Sequence, residues 1–430
     1  MKKQWIALLG LLLFPALLAA QTTAKSKPFT LILAGKLLDV RTGKLLINQK
    51  ILIAGDRIEA VGQIETKRAL NAEVIDLSDK VVLPGLIDAH THLTMDPQDM
   101  GYSSLGLSIP RQALTGAKNA RLTLMAGFTT VRNVAAAGYS DIALRDSINA
   151  GEIPGPRIDA SGPALSITGG HCDNNLLAPQ FHAQEDGVAD GVEAVQKKVR
   201  ENIKFGADVI KVCATGGVLS KGDDPNASAF TMAELEAIVN DAHRLGRKVA
   251  AHAHGAEGIK FAVEAGVDSI EHGSFINEED IQLMKQHGTY LVPTLYLGDW
   301  FLENAEAIHV PPFMIEKAKV VMPAARANLA KAFKEGVKVA FGTDAAVYPH
   351  GLNGREFAVM VQVGLSPLAA LQAATINAAD LLGWSQNIGA IEPGKWADII
   401  AVNQNPLDDV HTLENVPFVM KSGVVYKNEK

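Results

Sequence analysis

Short apolar runs alternate with amphipathic stretches through the middle of the chain. Four stretches carry apolar residues at the three- and four-residue spacing of an amphipathic helix: 191–205, 231–246, 256–265 and 278–287. The second begins with TMAE, a capping-box sequence. A glycine closes each stretch shortly before the next apolar run: Gly206, Gly246, Gly266 and Gly288. This alternation is typical of parallel β/α structure, so the pattern predicts an α/β fold with a (β/α)8 TIM-like barrel.

Both ends of the chain show a different pattern. Residues 28–83 contain short strand-like runs separated by turn residues, including 50–62, which has the pattern of a hairpin with Gly55 in its turn. Similar runs occur near the C-terminus. Because the termini of a domain often lie close together, we predict that both ends of the mature chain, 28–83 and 387–430, form one small β-sandwich beside a barrel of residues 84–386.

The first residues differ from the rest in kind. A basic start, MKK, precedes an apolar run from Ile6 to Ala20 and a polar stretch. This is the pattern of a secretory signal peptide, so we predict cleavage of residues 1–24 after Ala20 or Ala24 and a secreted, periplasmic protein. The alternative is a stable membrane anchor. The run, however, is shorter than the ~20 residues of a spanning helix, and it contains no cysteine for a lipid.

Composition limits the classes of function to consider. The chain has 430 residues, of which 47% are hydrophobic, enough for a large buried core. Its formal net charge is −7 and it has no lysine- and arginine-rich run, which argues against a nucleic-acid partner. The two cysteines, Cys172 and Cys213, are able to pair in an exported protein, but two buried free thiols fit the sequence equally well.

Potential metal ligands stand at the ends of several predicted strands. The sequence DAHTH at 88–92 follows an apolar run at 81–87. Residues two apart in a strand point to the same side, so His90 and His92 project together and form half of a metal site. Other predicted strands end in further candidates: Lys211, His252, His272 and Asp344. Because the chemistry of a (β/α)8 barrel lies at the carboxyl ends of its strands, these residues predict one site.

Further motifs accompany these residues: GFTTVRNV at 127–134, TGGHCD at 168–173, ATGGV at 214–218 and GTDAAVYPHG at 342–351. Together with the strand-end residues, they resemble the amidohydrolase superfamily, specifically its two-metal members with a carboxylated lysine. The combination is similar to the branch of metal-dependent dipeptidases and carboxypeptidases that includes Xaa-Arg and Xaa-Pro dipeptidases and the ochratoxin amidases of bacteria and fungi. The resemblance covers nearly the whole chain after residue 25.

The resemblance implies a role for each strand-end residue. His90, His92 and Asp344 would bind the more buried metal, and His252 and His272 would bind the second. Mixed imidazole and carboxylate ligands fit two zinc ions better than magnesium, and they leave other divalent ions open.

Lys211 requires a chemical modification to take part. An ammonium has no lone pair for a cation, and the position between Ile210 and Val212 is unfavourable for a charge. Burial lowers a lysine pKa and frees the amine, which is then able to add carbon dioxide. The product, N6-carboxylysine, has two oxygens that bridge two metals. The alternative is an unmodified lysine that reaches water, but the ligands at the other strand ends favour the carbamate.

Three residues are predicted to bind substrate. His254 lies two residues beyond a proposed ligand, and it stands outside the ligand set because some relatives carry tyrosine there. His171 follows two glycines, and Tyr296 ends a predicted strand. Either histidine would donate to a substrate carboxylate, with a local backbone partner as the alternative. Strand alternation predicts that Glu271, beside His272, points away from the barrel axis and is structural.

The resemblance and the ligand set predict hydrolysis of an amide bond. Two metals about 3.5–4 Å apart are able to hold a hydroxide at neutral pH. Asp344 would take its proton and pass it to the leaving amine. One alternative is a one-metal deaminase or an imidazolonepropionase-like ring hydrolase, which lacks the bridging lysine; another is a different cyclic-amide hydrolase. A non-enzyme alternative is a catalytically dead barrel that acts as a binding protein, which would be expected to lose ligands.

The predicted seventh strand, 290–296, bears on the substrate. Relatives that prefer a C-terminal arginine or lysine carry an acidic residue there, whereas the first acid here is Asp299. A cationic side chain would lack a partner. We therefore predict dipeptides or N-acyl amino acids with a hydrophobic, aromatic or proline C-terminal residue, ochratoxin-like amides included, and keep an Xaa-Arg/Lys dipeptidase as the alternative. The expected partners are this small-molecule substrate and, as an open alternative, further copies of the chain in a homo-oligomer.

Overall fold

The structure, a computed structural model, describes residues 29–64 and 70–429. The predicted signal peptide, residues 1–24, lies outside the described residues. Strands cover these ranges: β1 Phe29–Asp39, β2 Lys44–Ala54, β3 Arg57–Gly62, β4 Glu73–Pro84, β5 Leu86–Thr91, β6 Phe128–Asn133, β7 Arg157–Ala160, β8 Val209–Cys213, β9 Lys248–Ala253, β10 Ser269–His272, β11 Tyr290–Val292, β12 Ile399–Val402, β13 Phe418–Lys421 and β14 Val424–Asn428.

Helices lie mainly between the parallel strands. They cover these ranges: α1 Ile109–Met125, α2 Ser140–Asn149, α3 Val192–Lys204, α4 Met232–Arg244, α5 Ala256–Ala265, α6 Glu278–His287, α7 Tyr296–Asn304, α8 Pro312–Lys334, α9 Glu356–Val363, α10 Pro367–Gln372 and α11 Ala378–Leu381. Helices α3 to α6 agree with the four predicted stretches to within two residues at each end. Thr231 caps α4 and forms the predicted capping box with Glu234. No helix in the described part of the chain is long and apolar enough to cross a membrane.

Strands from both ends of the chain combine in one mixed sheet, in the order β14-β13-β12-β4-β1-β2-β3. Hydrogen bonding runs continuously through these seven strands, so both ends of the described chain lie in one sheet. The packing of this sheet as a small β-sandwich stays a prediction. A register shift between Ala34 and Lys36 interrupts the β1–β4 pairing, as bulges do where long strands bend. Apolar side chains such as Ile32, Ile51 and Phe418 form a core of their own in this sheet.

The parallel strands form two sheets, β5-β6-β7 and β8-β9-β10-β11. Backbone hydrogen bonds connect these sheets on both sides. On one side the Asp208 amide donates to the Ala160 carbonyl over 2.8 Å. On the other side, the segment 339–345 makes isolated parallel bridges, from Val339 to β11 and from Ala345 to β5. Seven strands and this segment therefore follow one another in a ring, and their carboxyl ends lie at one edge.

The predicted seventh strand is shorter than expected. β11 ends at Val292, and Tyr296 already belongs to α7. Pro293 has no amide to continue the ladder, and Thr294 has a φ of +46°. The chain therefore leaves the sheet before the last residues of the run, which changes the direction in which Tyr296 points.

Candidate active site

One large cavity, of about 980 Å³, lies at the carboxyl ends of the parallel strands. All six side chains predicted as metal ligands line it: His90, His92, Lys211, His252, His272 and Asp344. The sequence separates these residues by up to about 250 positions, and only the closure of the strand ring brings them together. The predicted substrate residues His171 and His254 line the same cavity, whereas Tyr296 does not.

His90, His92 and Asp344 form the tightest group. Their potential ligand atoms all lie within 4.8 Å of one another. The Asp344 Oδ1 atom lies 3.1 Å from His92 Nε2 and 3.5 Å from His90 Nε2. Although burial opposes its charge, the two histidines hold the pKa of Asp344 well below its ordinary value. Two imidazoles and an ionised carboxylate in this arrangement fit a divalent metal such as zinc.

The buried carboxylate of Asp88 holds together the two segments that carry His90, His92 and Asp344. Asp88 accepts hydrogen bonds from the Thr343 hydroxyl at 2.6 Å, from the Asn353 amide at 2.8 Å and from the His90 backbone amide at 3.1 Å. These bonds tie the end of β5 to the segment that carries Asp344. Burial raises the pKa of Asp88 to about 6, and the donors oppose this rise.

His252 and His272 form the second group. Their ring centroids are 4.8 Å apart, and the His272 ring lies 4.9 Å from that of His90. Burial lowers the pKa of both imidazoles well below the ordinary value, which keeps them neutral, as metal ligands must be. The His272 Nδ1 atom contacts the Thr294 hydroxyl at 2.7 Å, so Nε2 remains for a metal.

Lys211 is only 3% exposed. Burial lowers its pKa to about 8, although the charges of Glu271 and Asp344 oppose this shift. An appreciable fraction of the amine is therefore uncharged near neutral pH, which is the form that adds carbon dioxide. The chemistry of this side chain thus fits the predicted carbamate.

Glu271 does not point away from the barrel axis, which corrects the sequence prediction. Its Oε2 atom accepts from His90 Nδ1 at 2.7 Å, and its Oε1 atom accepts from the Arg132 guanidinium at 2.7 Å. Alternation places Glu271 inside the ring together with Ser269, and His272 reaches the same side because its φ is +70°. The positive φ breaks the alternation on which the prediction relied.

Arg132 is a site residue that the sequence reasoning missed. It is 1% exposed, and besides Glu271 it donates to the Ala89 carbonyl at 2.6 Å. Burial raises the pKa of the Glu271 carboxyl, but the Arg132 and His90 charges outweigh this effect and lower the pKa to about 2. Glu271 is therefore an anionic carboxylate, and in this form it orients the His90 ring. The sequence did contain a signal for this role, because Arg132 is a charged residue within the otherwise uncharged strand FTTVRN.

His171 and His254 flank the ligand His252. The His171 ring stacks on His252 with centroids 4.2 Å apart, and the His254 ring lies edge-on at 4.6 Å. Among the residues that the structure describes, no local backbone group holds either ring. His171 Nδ1 contacts Ser220 Oγ at 2.7 Å, and His254 Nδ1 contacts Ser274 Oγ at 2.7 Å. Burial lowers the pKa of His171 to about 4 and that of His254 to about 3.

The structure corrects the predicted role of Tyr296 in substrate binding. This residue opens α7 instead of ending a strand. Its hydroxyl accepts from the Arg355 guanidinium at 2.8 Å, and its ring packs edge-on against Tyr348 at 4.9 Å. Tyr296 therefore supports the wall behind the cavity.

Cys172 and Cys213 form a disulfide with their Cα atoms 6.2 Å apart, which decides between the alternatives left open by the sequence. Cys172 follows His171, and Cys213 lies two residues after Lys211 on β8. The bond therefore fastens the segment that carries His171 to the strand that carries the proposed carbamate.

The rest of the cavity wall combines apolar side chains with several acids, among them Asp99, Asp173, Glu185 and Asp186. Leucine, isoleucine and methionine side chains surround the opening: Leu105, Leu107, Ile109, Leu177, Leu302 and Met322. At the same wall Asp299 accepts from the Arg326 guanidinium at 2.5 and 2.6 Å. The acid nearest to the predicted seventh strand is thus already paired within the protein.

Comparisons with known proteins agree over most of the chain. The family model described as the amidohydrolase family matches residues 81–426. The ochratoxinase of Aspergillus niger is 34% identical over 443 aligned residues, which cover 96% of this chain and 89% of that protein. The crystal structure of a Xaa-Pro dipeptidase with bound methionine is 41% identical with a TM-score of 0.88, and covers 93% of this chain and 100% of that one. A prolidase complexed with N-methylphosphonate-L-proline is 32% identical with a TM-score of 0.86, at the same coverage.

Proposed function

The chain belongs to the amidohydrolase family, and from this premise we propose that it is a metal-dependent hydrolase of dipeptides or N-acyl amino acids. Its relatives establish that it is an enzyme acting on amide bonds. The observation that carries the proposal is the convergence of all six ligand-type side chains on one cavity. We take the ring of parallel strands as the (β/α)8 barrel of this family.

The proposed site would hold two divalent ions, and zinc is the metal that we propose. His90, His92 and Asp344 would hold one ion, His252 and His272 the other, and Lys211, as a carbamate, would bridge them. When bound, such ions supply an activated water and polarise a substrate carbonyl. Asp344 lines the cavity, where it would hold the proton removed from the water and deliver it to the leaving amine.

The same residues weigh against the alternatives. A one-metal deaminase or ring hydrolase has no use for a buried amine, yet Lys211 lies buried in the cavity between the other ligand types. A catalytically dead binding protein would be expected to have lost ligands, and here every predicted position is filled. Metal analysis separates the last case, since a dead relative should purify with far less than two ions per chain.

The substrate carboxylate would bind His254. The Ser274 hydroxyl contacts His254 Nδ1 at 2.7 Å and is able to donate to it. This leaves the opposite ring nitrogen, Nε2, to carry a proton toward the cavity. The ring therefore offers a donor to the carboxylate of the residue on the leaving side of the amide.

We expect substrates with an apolar, aromatic or proline residue after the scissile bond to exceed those with arginine by at least about tenfold in kcat/KM. The reason is that Arg326 already pairs with Asp299, the acid nearest to β11, so a cationic substrate side chain bound there would lack a free partner. Ala-Phe, Ala-Leu, Ala-Pro and Ala-Arg form the test set. The variant Arg326→Gln should free Asp299 and raise the relative rate on Ala-Arg. A wild-type preference for arginine would contradict the pocket assignment but not the hydrolase.

We also propose export to the periplasm, on the basis of the N-terminal sequence pattern. The disulfide supports an oxidising compartment. Cell fractionation followed by N-terminal sequencing should find a mature chain that begins after Ala20 or Ala24. An intact Met1 on cytosolic protein would exclude the proposal. A homo-oligomer remains a prediction.

A further inference from the structure

A proline divides helix α8 into two halves. Pro323 lies midway between the ends of this helix, Pro312 and Lys334. Because proline has no amide proton, the carbonyl of Lys319, four residues earlier, has no helical donor, and the proline ring crowds the same turn. Long helices bend at such positions, so α8 is weakest at Pro323.

The two halves of α8 are packed in different hydrophobic cores. The half before Pro323 contributes three buried side chains to a small core that we call the cap core: Met314, Ala318 and Val321. The half after Pro323 contributes three buried side chains to the main core of the barrel: Leu329, Ala332 and Phe333. A helix packed in this way is able to bend between its halves while each half keeps its own core.

The cap core lies between helices α7 and α8 and the loops at the strand ends. We define the cap as residues 301–322, which comprise most of α7 and the first half of α8. Loops after the parallel strands supply the opposite side of the cap core, with Met100, Val218 and Val347. These loop residues line the cavity together with Met314 and Val321 of the cap. The contact between cap and loops is therefore part of the cavity wall, and a displacement of the cap would open the cavity.

The chain is attached to the barrel on both sides of the cap. Where α7 begins, the Glu356 carboxylate accepts hydrogen bonds from the Leu295 and Tyr296 amides at 2.8 and 2.7 Å. In the second half of α8, the Asn328 side-chain amide donates to the Ser274 carbonyl at 3.0 Å. The two attachments leave the segment between them to move as a unit about its ends.

A lysine of the cap binds the loop that follows β8. The Lys317 ammonium donates to the Gly217 and Ser220 carbonyls at 2.8 Å each and to the Asp223 carboxylate at 2.7 Å. Hydrogen bonds from a charged donor are stronger than neutral ones. These three bonds hold the cap against the loop in the arrangement that the structure shows.

We propose that the cap is a hinged lid, which bends at Pro323 to admit substrate and release product, and that Lys317 latches it when closed. In the closed position Met314 and Val321 cover the occupant of the cavity and exclude water from it. In the open position the cap core is exposed to solvent. The movement itself goes beyond the proposed function, and only its part in turnover rests on that function. Opening of such lids limits the turnover of many enzymes.

A pair of cysteine reporters on α8 tests the movement without reference to activity. Ala318 and Ala332 are both fully buried, one in each half of the helix. Ala318 lies between Met314 and Val321 on the face toward the cavity. The two native cysteines are joined in a disulfide, so the introduced thiol is the one that reacts. In the metal-loaded protein, iodoacetamide should label Ala318→Cys at least about tenfold faster than Ala332→Cys, because only the cap opens without global unfolding. Equal labelling rates would overturn the proposal.

The latch is tested by Lys317→Met in the Ala318→Cys background. This change should accelerate labelling by about 10- to 100-fold, the range for lost hydrogen bonds from a charged group. Lys319→Met, which removes an exposed lysine from the same half of the helix, is the matched control and should label as the parent does. An unchanged rate in Lys317→Met would exclude the latch.

The hinge is tested by Pro323→Ala in the same background. Alanine restores a donor for the Lys319 carbonyl, so labelling should slow by about 2- to 10-fold, the range for one ordinary hydrogen bond. On Ala-Phe, kcat should fall by a similar factor, since product leaves through the same opening. Slower labelling with unchanged kcat would contradict the role in turnover, and faster labelling would contradict the hinge. If wild type cleaves no dipeptide, the proposed function fails, whereas the labelling rates still decide whether the cap is a lid.

Discussion

Replacement of Lys211 by alanine is expected to remove most of the bound metal and nearly all hydrolytic activity. In the proposed site the carbamate at this position would join both ions, so its loss would remove a ligand from each of them. Metal per chain and kcat/KM are the measurements. Lys334→Ala, which removes an exposed lysine from α8, is the matched control and should behave as wild type.

Two additional results would identify the modification itself. Acetate or propionate should restore part of the activity of Lys211→Ala, because a small carboxylate is able to enter the space and replace the carbamate oxygens. Wild-type protein incubated with ¹³C-bicarbonate should show a carbamate signal that is absent from the variant. Full activity in Lys211→Ala would exclude any role for Lys211 in the site.

Replacement of Asp344 by asparagine is expected to lower kcat by about 10²–10⁴-fold, the range for a general acid–base group. The amide is still able to offer an oxygen as a ligand, so the metal content should fall only in part. It cannot hold the proton that passes from the water to the leaving amine. Loss of turnover with retained metal thus distinguishes a proton carrier from a simple ligand.

The control for Asp344→Asn is Asp299→Asn, which changes another carboxylate on the same cavity wall. This variant should retain turnover on Ala-Phe, because Asp299 pairs with Arg326 and contacts no proposed ligand. Equal losses in both variants would indicate a general effect of lost charge. In that case the proton-carrying role of Asp344 would be wrong.

The residues that line the cavity follow from local sequence patterns. Short strand-like runs that end in or near a histidine, lysine or aspartate identify strand ends, and a parallel ring places all such ends at one edge. His90 and Lys211 were therefore predictable from their neighbours along the chain, without knowledge of any long-range contact.

The features that were missed depend on single backbone angles or on distant contacts. The inward direction of Glu271 could not be predicted because the φ of His272, +70°, reverses the strand alternation at one residue. The contact that holds the His171 ring is made by Ser220, about fifty positions away in sequence. Strand periodicity contains no information about such contacts between loops.

The strand order of the terminal sheet was not predictable for a related reason. Runs of alternating apolar residues identified its strands, but their order depends on which edges pair. β4 pairs with β1 in parallel and with β12 in antiparallel orientation, and this joins all seven strands. The β4 and β12 partners lie over three hundred residues apart.

Because strands from both ends of the chain pair in this sheet, the sheet is completed only late in protein synthesis. β4 receives its second neighbour only when β12, which begins at Ile399, has left the ribosome. Until then β4 presents an open edge to other nascent chains, and such edges template aggregation. Translation must therefore be almost finished before the N-terminal strands have all their neighbours in the sheet. A chain that chaperones hold unfolded until it has crossed a membrane would avoid this exposed interval altogether.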